Sequence, residues 1–317
     1  MAKNIYVVTT ARYVGTTKRL VPALQAVGIH LEHMPWDKFL AEQALPQGAW
    51  VLADFDRIHP WLIELAASRR DALVAAGMPV LNDPRRFLTR APLIRTLHAM
   101  GINRYTCWLP AFGEIPTRFP VFLRSLAAHR GVITDLLHDR DEAAVALEQA
   151  LAVGYTVTDL GFIEYRAAAD PKIGHFQKHA AYRIGDRVFR ALSVNDDAWM
   201  AKNGVKGLAS EETYATELAE MVDYPHTDLI RQVTDICGCT YGRVDFGLVD
   251  GRPEIYEVNS NPAFGFPETD HPSPSRLATG NISRTQLVAA FQAIVPETRK
   301  GALIDVSALT LWPRHKP

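Results

Sequence analysis

The stretch from Tyr241 to Pro262, Tyr-Gly-Arg-Val-Asp-Phe-Gly-Leu-Val-Asp-Gly-Arg-Pro-Glu-Ile-Tyr-Glu-Val-Asn-Ser-Asn-Pro, constrains this chain more than any other. It reads as a β-hairpin turning at Asp250-Gly251, a pair that tolerates positive φ. Side chains alternate across a strand. Val244, Phe246 and Leu248 therefore share one face of the first strand, and Arg243, Asp245 and Gly247 the other. On the second strand Tyr256 and Val258 share a face, with Ile255, Glu257 and Asn259 opposite. The apolar faces coincide if a three-residue loop (Asp250, Gly251, Arg252) sets Asp245 against Glu257; a two-residue loop would set Asp245 against Tyr256. In the first register Arg243, Asp245, Glu257 and Asn259 meet on one polar patch. Neighbouring carboxylates repel unless a cation sits between them. Oxygen-only donors suit Mg²⁺, with Arg243 beside them for phosphate. A merely amphipathic hairpin explains the alternation, but not clustered acids followed at once by Asn-Ser-Asn-Pro.

The rest of the chain alternates strand and helix patterns. Asn4–Thr10, Trp50–Asp54 and Pro79–Asn82 read as strands, and 16–27, Trp61–Ala76 and Pro92–Met100 as helices. Such alternation implies βαβ units and a parallel sheet. After Pro110 the pattern changes. Phe119–Arg124 is a strand entered through proline, Asp141–Val153 an alanine-rich helix, and 155–165 and 180–192 are strand-like, the latter turning at Gly185-Asp186. The expected division is 1–110, 111–165 and 166–317. Loops at 166–178 and 195–210 are long enough to act as lids.

Of the 317 residues, 48% are hydrophobic and 22% charged, and the net charge is -1. That balance gives no electrostatic case for nucleic acid or an anionic membrane as partner. No apolar run reaches the roughly 20 residues that span a bilayer. Three cysteines cannot form a disulfide framework, so the expectation is a cytoplasmic protein. Cys237-Gly238-Cys239 lacks a second Cys or His pair at zinc spacing and reads as small buried residues. His175 and His179 would be metal-like on a helix, but their setting is a loop entering a strand.

Asp245 on one strand and Glu257-Val-Asn259-Ser-Asn261-Pro262 on the next resemble the magnesium signature of the ATP-grasp superfamily. The pattern is nearest to the branch of the ribosomal-protein glutamate ligase and glutathione synthetase. Other segments are similar in the same order: Asn82-Asp83-Pro84 with Arg90 to Asn103 as the interdomain join, Phe119–Arg124 as a phosphate-touching strand, and Phe162-Ile163-Glu164-Tyr165 as the adenine hinge. The resemblance implies an α/β and α+β, three-domain architecture. An N-terminal parallel α/β domain would precede two antiparallel sheets that hold ATP between them.

It further implies ATP and Mg²⁺ as cofactors, and a ligase that activates a carboxylate as an acyl phosphate for capture by an amine or other nucleophile. Asp245, Glu257 and Asn259 would hold the metal. Arg90, Arg124, His129, Glu164, Tyr165, Lys178 and Lys202 would bind the nucleotide, and Arg243 and Lys202 would serve catalysis. Two features depart from the family. Arginine stands at 124 where lysine is usual, and Ser125–Gly131 has a single glycine, so that His129 and Arg130 would replace backbone amides with side-chain donors. An ATP-grasp kinase acting on a hydroxyl would share every nucleotide residue; an inactive nucleotide-binding scaffold would account for the glycine-poor loop but not for the intact Asp245, Glu257 and Asn259 set. The expected partners are a small-molecule or peptide carboxylate and a nucleophilic acceptor, with a possible homodimer. Asp54-Phe-Asp56-Arg57, after an N-terminal strand, is a candidate contact for the acceptor.

Overall fold

The structure is a computed structural model that describes residues 1–127, 130–266 and 271–307, the side chain of Asp56 excepted. The N-terminal part runs β1 (Asn4–Thr9), α1 (Val21–Ala26), β2 (His30–Pro35), α2 (Trp36–Ala41), β3 (Ala44–Pro46), β4 (Ala49–Leu52), α3 (Pro60–Ala75) and β5 (Val80–Leu81). Strands β2, β1, β4 and β5 lie in that order, all parallel. A parallel sheet is covered on both faces, which explains the unbroken apolar run of β1. Ile5 and Val7 face one core, Tyr6 and Val8 another, with Tyr6 stacked on Trp50 at 4.6 Å between ring centroids. Strand β2 was not legible in the sequence because His30, Glu32 and His33 interrupt its apolar positions. The expected helix at 16–27 is regular only over α1.

Helix α4 (Arg90–Ala99) leads to a three-stranded antiparallel sheet of β6 (Cys107–Trp108), β7 (Val121–Ser125) and β8 (Leu160–Glu164), in the order β6-β8-β7. Helix α5 (Arg140–Ala152) lays Ala143, Ala146 and Ala150 on this sheet, small residues that permit close approach. Asp139 caps it by accepting from the N–H of Glu142.

The last part holds β9 (Phe176–Ile184), β10 (Arg187–Asp196), α6 (Glu211–Glu220), α7 (Thr227–Cys237), β11 (Tyr241–Val249), β12 (Arg252–Asn259), α8 (Pro274–Ile294) and β13 (Leu303–Asp305). Its sheet is antiparallel, ordered β10-β9-β11-β12, while β13 pairs with β3. Leu287, Ala290 and Phe291 of α8 share one apolar core with Ile5, Val7 and Val51 of the parallel sheet. On the other face, α7 and α4 cover Val244, Phe246 and Ile255. Cys237 and Cys239 are fully buried, and burial pushes the Cys239 thiol up to about 12, as suits inert packing residues.

The hairpin reaches the expected pairing by another route. Val249 pairs with Arg252, so the turn has two residues, Asp250 (φ 54°) and Gly251 (φ 73°). Phe246 pairs with Ile255 but Asp245 with Glu257, so Tyr256 is an extra residue, a β-bulge. The bulge swaps two assignments made from strict alternation. Ile255 enters the core, while Tyr256 joins Glu257 on the polar side. The bulge is held from outside. Asn103 donates to the carbonyl of Ile255 and accepts from its N–H, both at 2.9 Å, and Tyr105 donates to the same carbonyl. Gly247 completes the arrangement, since a Cβ there would lie 2.2 Å from the Tyr256 hydroxyl.

Asn82 ties the parallel sheet to the antiparallel one. Its side chain donates to the carbonyls of Leu52 (2.8 Å) and Tyr241 (3.0 Å), and accepts from the N–H groups of Thr240 (2.7 Å) and Tyr241 (2.9 Å). All four hydrogen-bonding positions of the amide are used, at 2% exposure. Asn82→Asp keeps the shape but sets an acceptor against two carbonyls. It should cost roughly 3 kcal/mol or more in urea unfolding with an unchanged slope; a loss below about 1 kcal/mol would mean the clasp is not a significant part of stability.

Candidate functional site

A cavity of about 340 Å³ lies between the three-stranded sheet and the sheet of β9–β12. That size is usual for a small-molecule site. One end is apolar and aromatic. Phe122 of β7, Ile163 of β8 and Tyr165 just beyond it meet Trp199 from the loop after β10. Trp199 lies 4.9 Å from Phe122 and edge-on to Tyr165 at 5.5 Å. Phe122 and Arg124 share a face of β7 by simple alternation, so Phe122 was findable once Arg124 was named. Trp199 was not, because an aromatic residue in a polar loop carries no pattern. Tyr256 was hidden by its assignment to the apolar face.

The other end is charged. Arg90 at the start of α4, Arg124 of β7, Lys178 of β9 and Lys202 border it with Asp245 and Glu257. Asp245 is 1% exposed and is held by two cations. The Arg243 guanidinium donates to its two carboxylate oxygens at 2.6 and 3.0 Å, and the Lys178 ammonium lies at 3.2 Å. Burial alone would lower the Arg243 guanidinium, but the charge and hydrogen bonds of Asp245 raise it above its ordinary value. Glu257 is paired with Arg90. Burial, reinforced by neighbouring Arg90, pushes the Arg124 guanidinium down to about 10.

The remaining expected residues, and the arginines near them, are placed as follows. Lys178 faces the cavity, whereas Arg183, on the opposite side of the sheet, is bound to Thr234 and Asp235. Arg95 pairs with Glu114, so of the two α4 arginines Arg90 reaches the site. Glu164 lines the cavity but accepts from the N–H of Thr106 (3.1 Å) and from Arg118 (2.7 Å). Asn259 pairs in register with Arg243 and accepts from the N–H of Asn261 at 2.8 Å; it does not line the cavity. Arg130 and Gly131 do line it, and His129 lies outside the described residues. His175 binds Ile173 and Asn195, while His179 stacks on Phe246, so the two are no metal pair.

Asp54 turns inward rather than toward a ligand. It is 1% exposed and has a left-handed backbone, φ 69°. Its carboxylate accepts from the Thr9 hydroxyl and from the N–H and hydroxyl of Thr10, and pairs with Arg57. Its own N–H donates to Ser260 at 2.9 Å. Asn261 donates to Thr9 (2.9 Å) and accepts from Thr16 (2.8 Å). The turn after Asn259 is thus pinned to the C-terminal edge of the parallel sheet. A small second cavity of about 20 Å³ shares Arg90 and Glu257 with the large one and extends to Ser260.

These carboxylates fit a hard divalent cation. They are oxygen donors on adjacent strands, at the charged end of a cavity rich in bases, and Mg²⁺ takes one or two carboxylates with phosphate oxygens. Among the described residues no helix is long and apolar enough to cross a membrane.

No protein-family model and no curated protein sequence matches the chain. Solved structures do resemble it. A D-alanine–D-alanine ligase from Bacillus anthracis, complexed with ATP, is 13% identical with a TM-score of 0.52, over 92% of this chain and 97% of that one. The ATP-grasp ligase PsnB, complexed with a minimal precursor, is 16% identical with a TM-score of 0.51, over 93% and 99%. An L-amino acid ligase from Bacillus licheniformis is 12% identical with a TM-score of 0.51, over 92% and 74%. Identities this low speak for the fold alone. This chain's parallel, three-stranded and four-stranded sheets follow one another along the sequence, and its structure matches two of these ligases over nearly their full length; the chain therefore has the ATP-grasp fold.

Proposed function

We propose that this chain is an ATP- and Mg²⁺-dependent ligase that activates a carboxylate as an acyl phosphate for capture by an amine or other nucleophile. The observation that carries the reading is a single cavity with an aromatic end and a cationic end, the latter holding the opposed carboxylates Asp245 and Glu257. A nucleotide matches that division. Its base is flat and apolar enough for Phe122, Tyr165 and Trp199, and its phosphates suit Arg90, Arg124, Lys178 and Lys202.

Mg²⁺ held by Asp245 and Glu257, with Asn259 at the strand end, would neutralise phosphate charge, which is most of what phosphoryl transfer requires. Arg243 would serve catalysis by fixing Asp245, since it donates to both carboxylate oxygens and does not itself line the cavity. Glu164 acts in this reading by ordering the strand end beside the base, since its carboxylate is bound to Thr106 and Arg118. The reacting carboxylate would enter beyond Glu257, on the side of Ser260 and the parallel sheet's edge. Amino-acid or peptide carboxylates are the favoured class, with support from ligases of D-alanine, of L-amino acids and of a precursor such as that of PsnB. Within the superfamily, Glu257-Val-Asn259-Ser-Asn261-Pro262 supports a place near the branch of the ribosomal-protein glutamate ligase and glutathione synthetase.

Calorimetric titration should show ATP binding strengthened by Mg²⁺ in the wild type and not in Glu257→Gln. ADP release with amino-acid or peptide substrates should fall roughly 100-fold or more in that variant. Wild-type-like turnover of Glu257→Gln would remove the metal assignment, and absence of ATP binding would remove the ligase reading itself. Trp199→Ala should weaken ATP by roughly tenfold at unchanged stability. Equal affinity would place the base elsewhere.

A further inference from the structure

We propose that Arg90 and Lys178 act as exchangeable counter-ions: they hold Glu257 and Asp245 until nucleotide phosphates take them over, so that the divalent ion binds only after the nucleotide. The proposal rests on the ATP reading above and adds the order in which the site fills.

Charge balance comes first. Among the described lining residues, six are basic (Arg90, Arg124, Arg130, Arg166, Lys178 and Lys202) and three are acidic (Glu164, Asp245 and Glu257). Each acid already has a basic partner: Arg118 for Glu164, Arg243 and Lys178 for Asp245, and Arg90 for Glu257. The cavity as it stands attracts a polyanion and offers little to a lone dication. Ligand number points the same way. Among the described residues no group of three or more His, Cys, Asp or Glu side chains is assembled to hold a metal. Mg²⁺ prefers six oxygens, so phosphate and water must supply most of them.

Burial makes the exchange obligatory. The side chains of Arg90 and Lys178 are only 9% and 21% exposed. A metal ion that took Glu257 without nucleotide would leave the buried Arg90 guanidinium beside Arg124 with no counter-ion and only the Tyr256 carbonyl at 3.4 Å, a penalised state. Phosphate oxygens remove the penalty by accepting from Arg90 and Lys178, which leaves Glu257 and the fixed Asp245 available to the metal. Arg243 has no such exchange to make. It grips both oxygens of Asp245 and stays with it, which keeps that carboxylate oriented throughout. Because linkage is reciprocal, nucleotide and metal strengthen each other's binding by the same factor.

The test uses Mn²⁺ as probe, with free Mn²⁺ read by electron paramagnetic resonance, on the full chain with and without the non-hydrolysable analogue AMP-PNP. The wild type should bind Mn²⁺ far more tightly with AMP-PNP than without. Without nucleotide, Arg90→Gln should bind Mn²⁺ more tightly than the wild type by roughly tenfold or more, and Lys178→Gln should do the same from the Asp245 side. A loss of function cannot mimic this gain, and the second variant serves if the first misfolds by circular dichroism. The proposal is overturned if both folded variants bind Mn²⁺ no better than the wild type in the absence of nucleotide. It is also overturned if the nucleotide-free wild type binds Mn²⁺ as tightly as the complex. Failure of AMP-PNP to bind the wild type at all would sink the nucleotide reading, and this proposal with it.

Discussion

Two carboxylates set side by side on neighbouring strands repel each other, and much of this structure answers that repulsion. Asp245 and Glu257 face one another across β11 and β12. Arg243 and Lys178 converge on the first, while Arg90 is brought in from the helix that joins the N-terminal part to the rest. Drawing cations from three separate elements requires those elements to be rigidly related. Asn82 supplies part of that rigidity by binding the backbones of Leu52 and Tyr241 with one amide. Ser260 and Asn261 supply more by fastening the end of β12 to Asp54, Thr9 and Thr16.

The alternation of β11 and the paired acids were legible because they obey local rules. Period two placed Asp245 toward the site and Val244 and Phe246 in the core, and burying both apolar faces required Asp245 to oppose Glu257. That pairing is the one observed, although the expected three-residue loop is a two-residue turn followed by a bulge. The bulge was not legible because it is stabilised by residues more than a hundred positions earlier. Asn103 and Tyr105 satisfy the backbone of Ile255 on the open edge of β12, and no short-range pattern reveals that partnership. The aromatic end of the cavity was obscure for a similar reason. Trp199 meets Phe122 and Tyr165 only when the loop after β10 lies across the cavity.

The parallel sheet shows the same division. The strands at Asn4–Thr10, Trp50–Asp54 and Pro79–Asn82 were visible as apolar runs, and the helices at 16–27 and Trp61–Ala76 as patterns closed by glycine, whereas the short α2 was not. Strand β2, at the sheet's edge and carrying His30, Glu32 and His33, was not visible, because an edge strand needs only some of its residues buried. Asp54 illustrates a different failure. Its position at the C-terminal edge of a parallel strand is where ligands gather, yet the carboxylate is consumed by Thr9, Thr10 and Arg57.

The bulge at Tyr256 makes the hairpin an exercise in parity. A side chain's face on β12 depends on whether an odd or even number of residues separates it from the turn. The supernumerary tyrosine converts one parity into the other, and so it alone reconciles a tight Asp250-Gly251 turn with a carboxylate at 257 that faces the cavity. Deleting residue 256 would leave the two-residue turn and still set Glu257 opposite Asp245, whereas straightening the bulge with the tyrosine kept in line would set Tyr256 there and turn Glu257 to the core. The same logic binds Gly247 to its neighbour. The space that it leaves empty is filled by the tyrosine that keeps the count, so a side chain at 247 requires a smaller residue at 256.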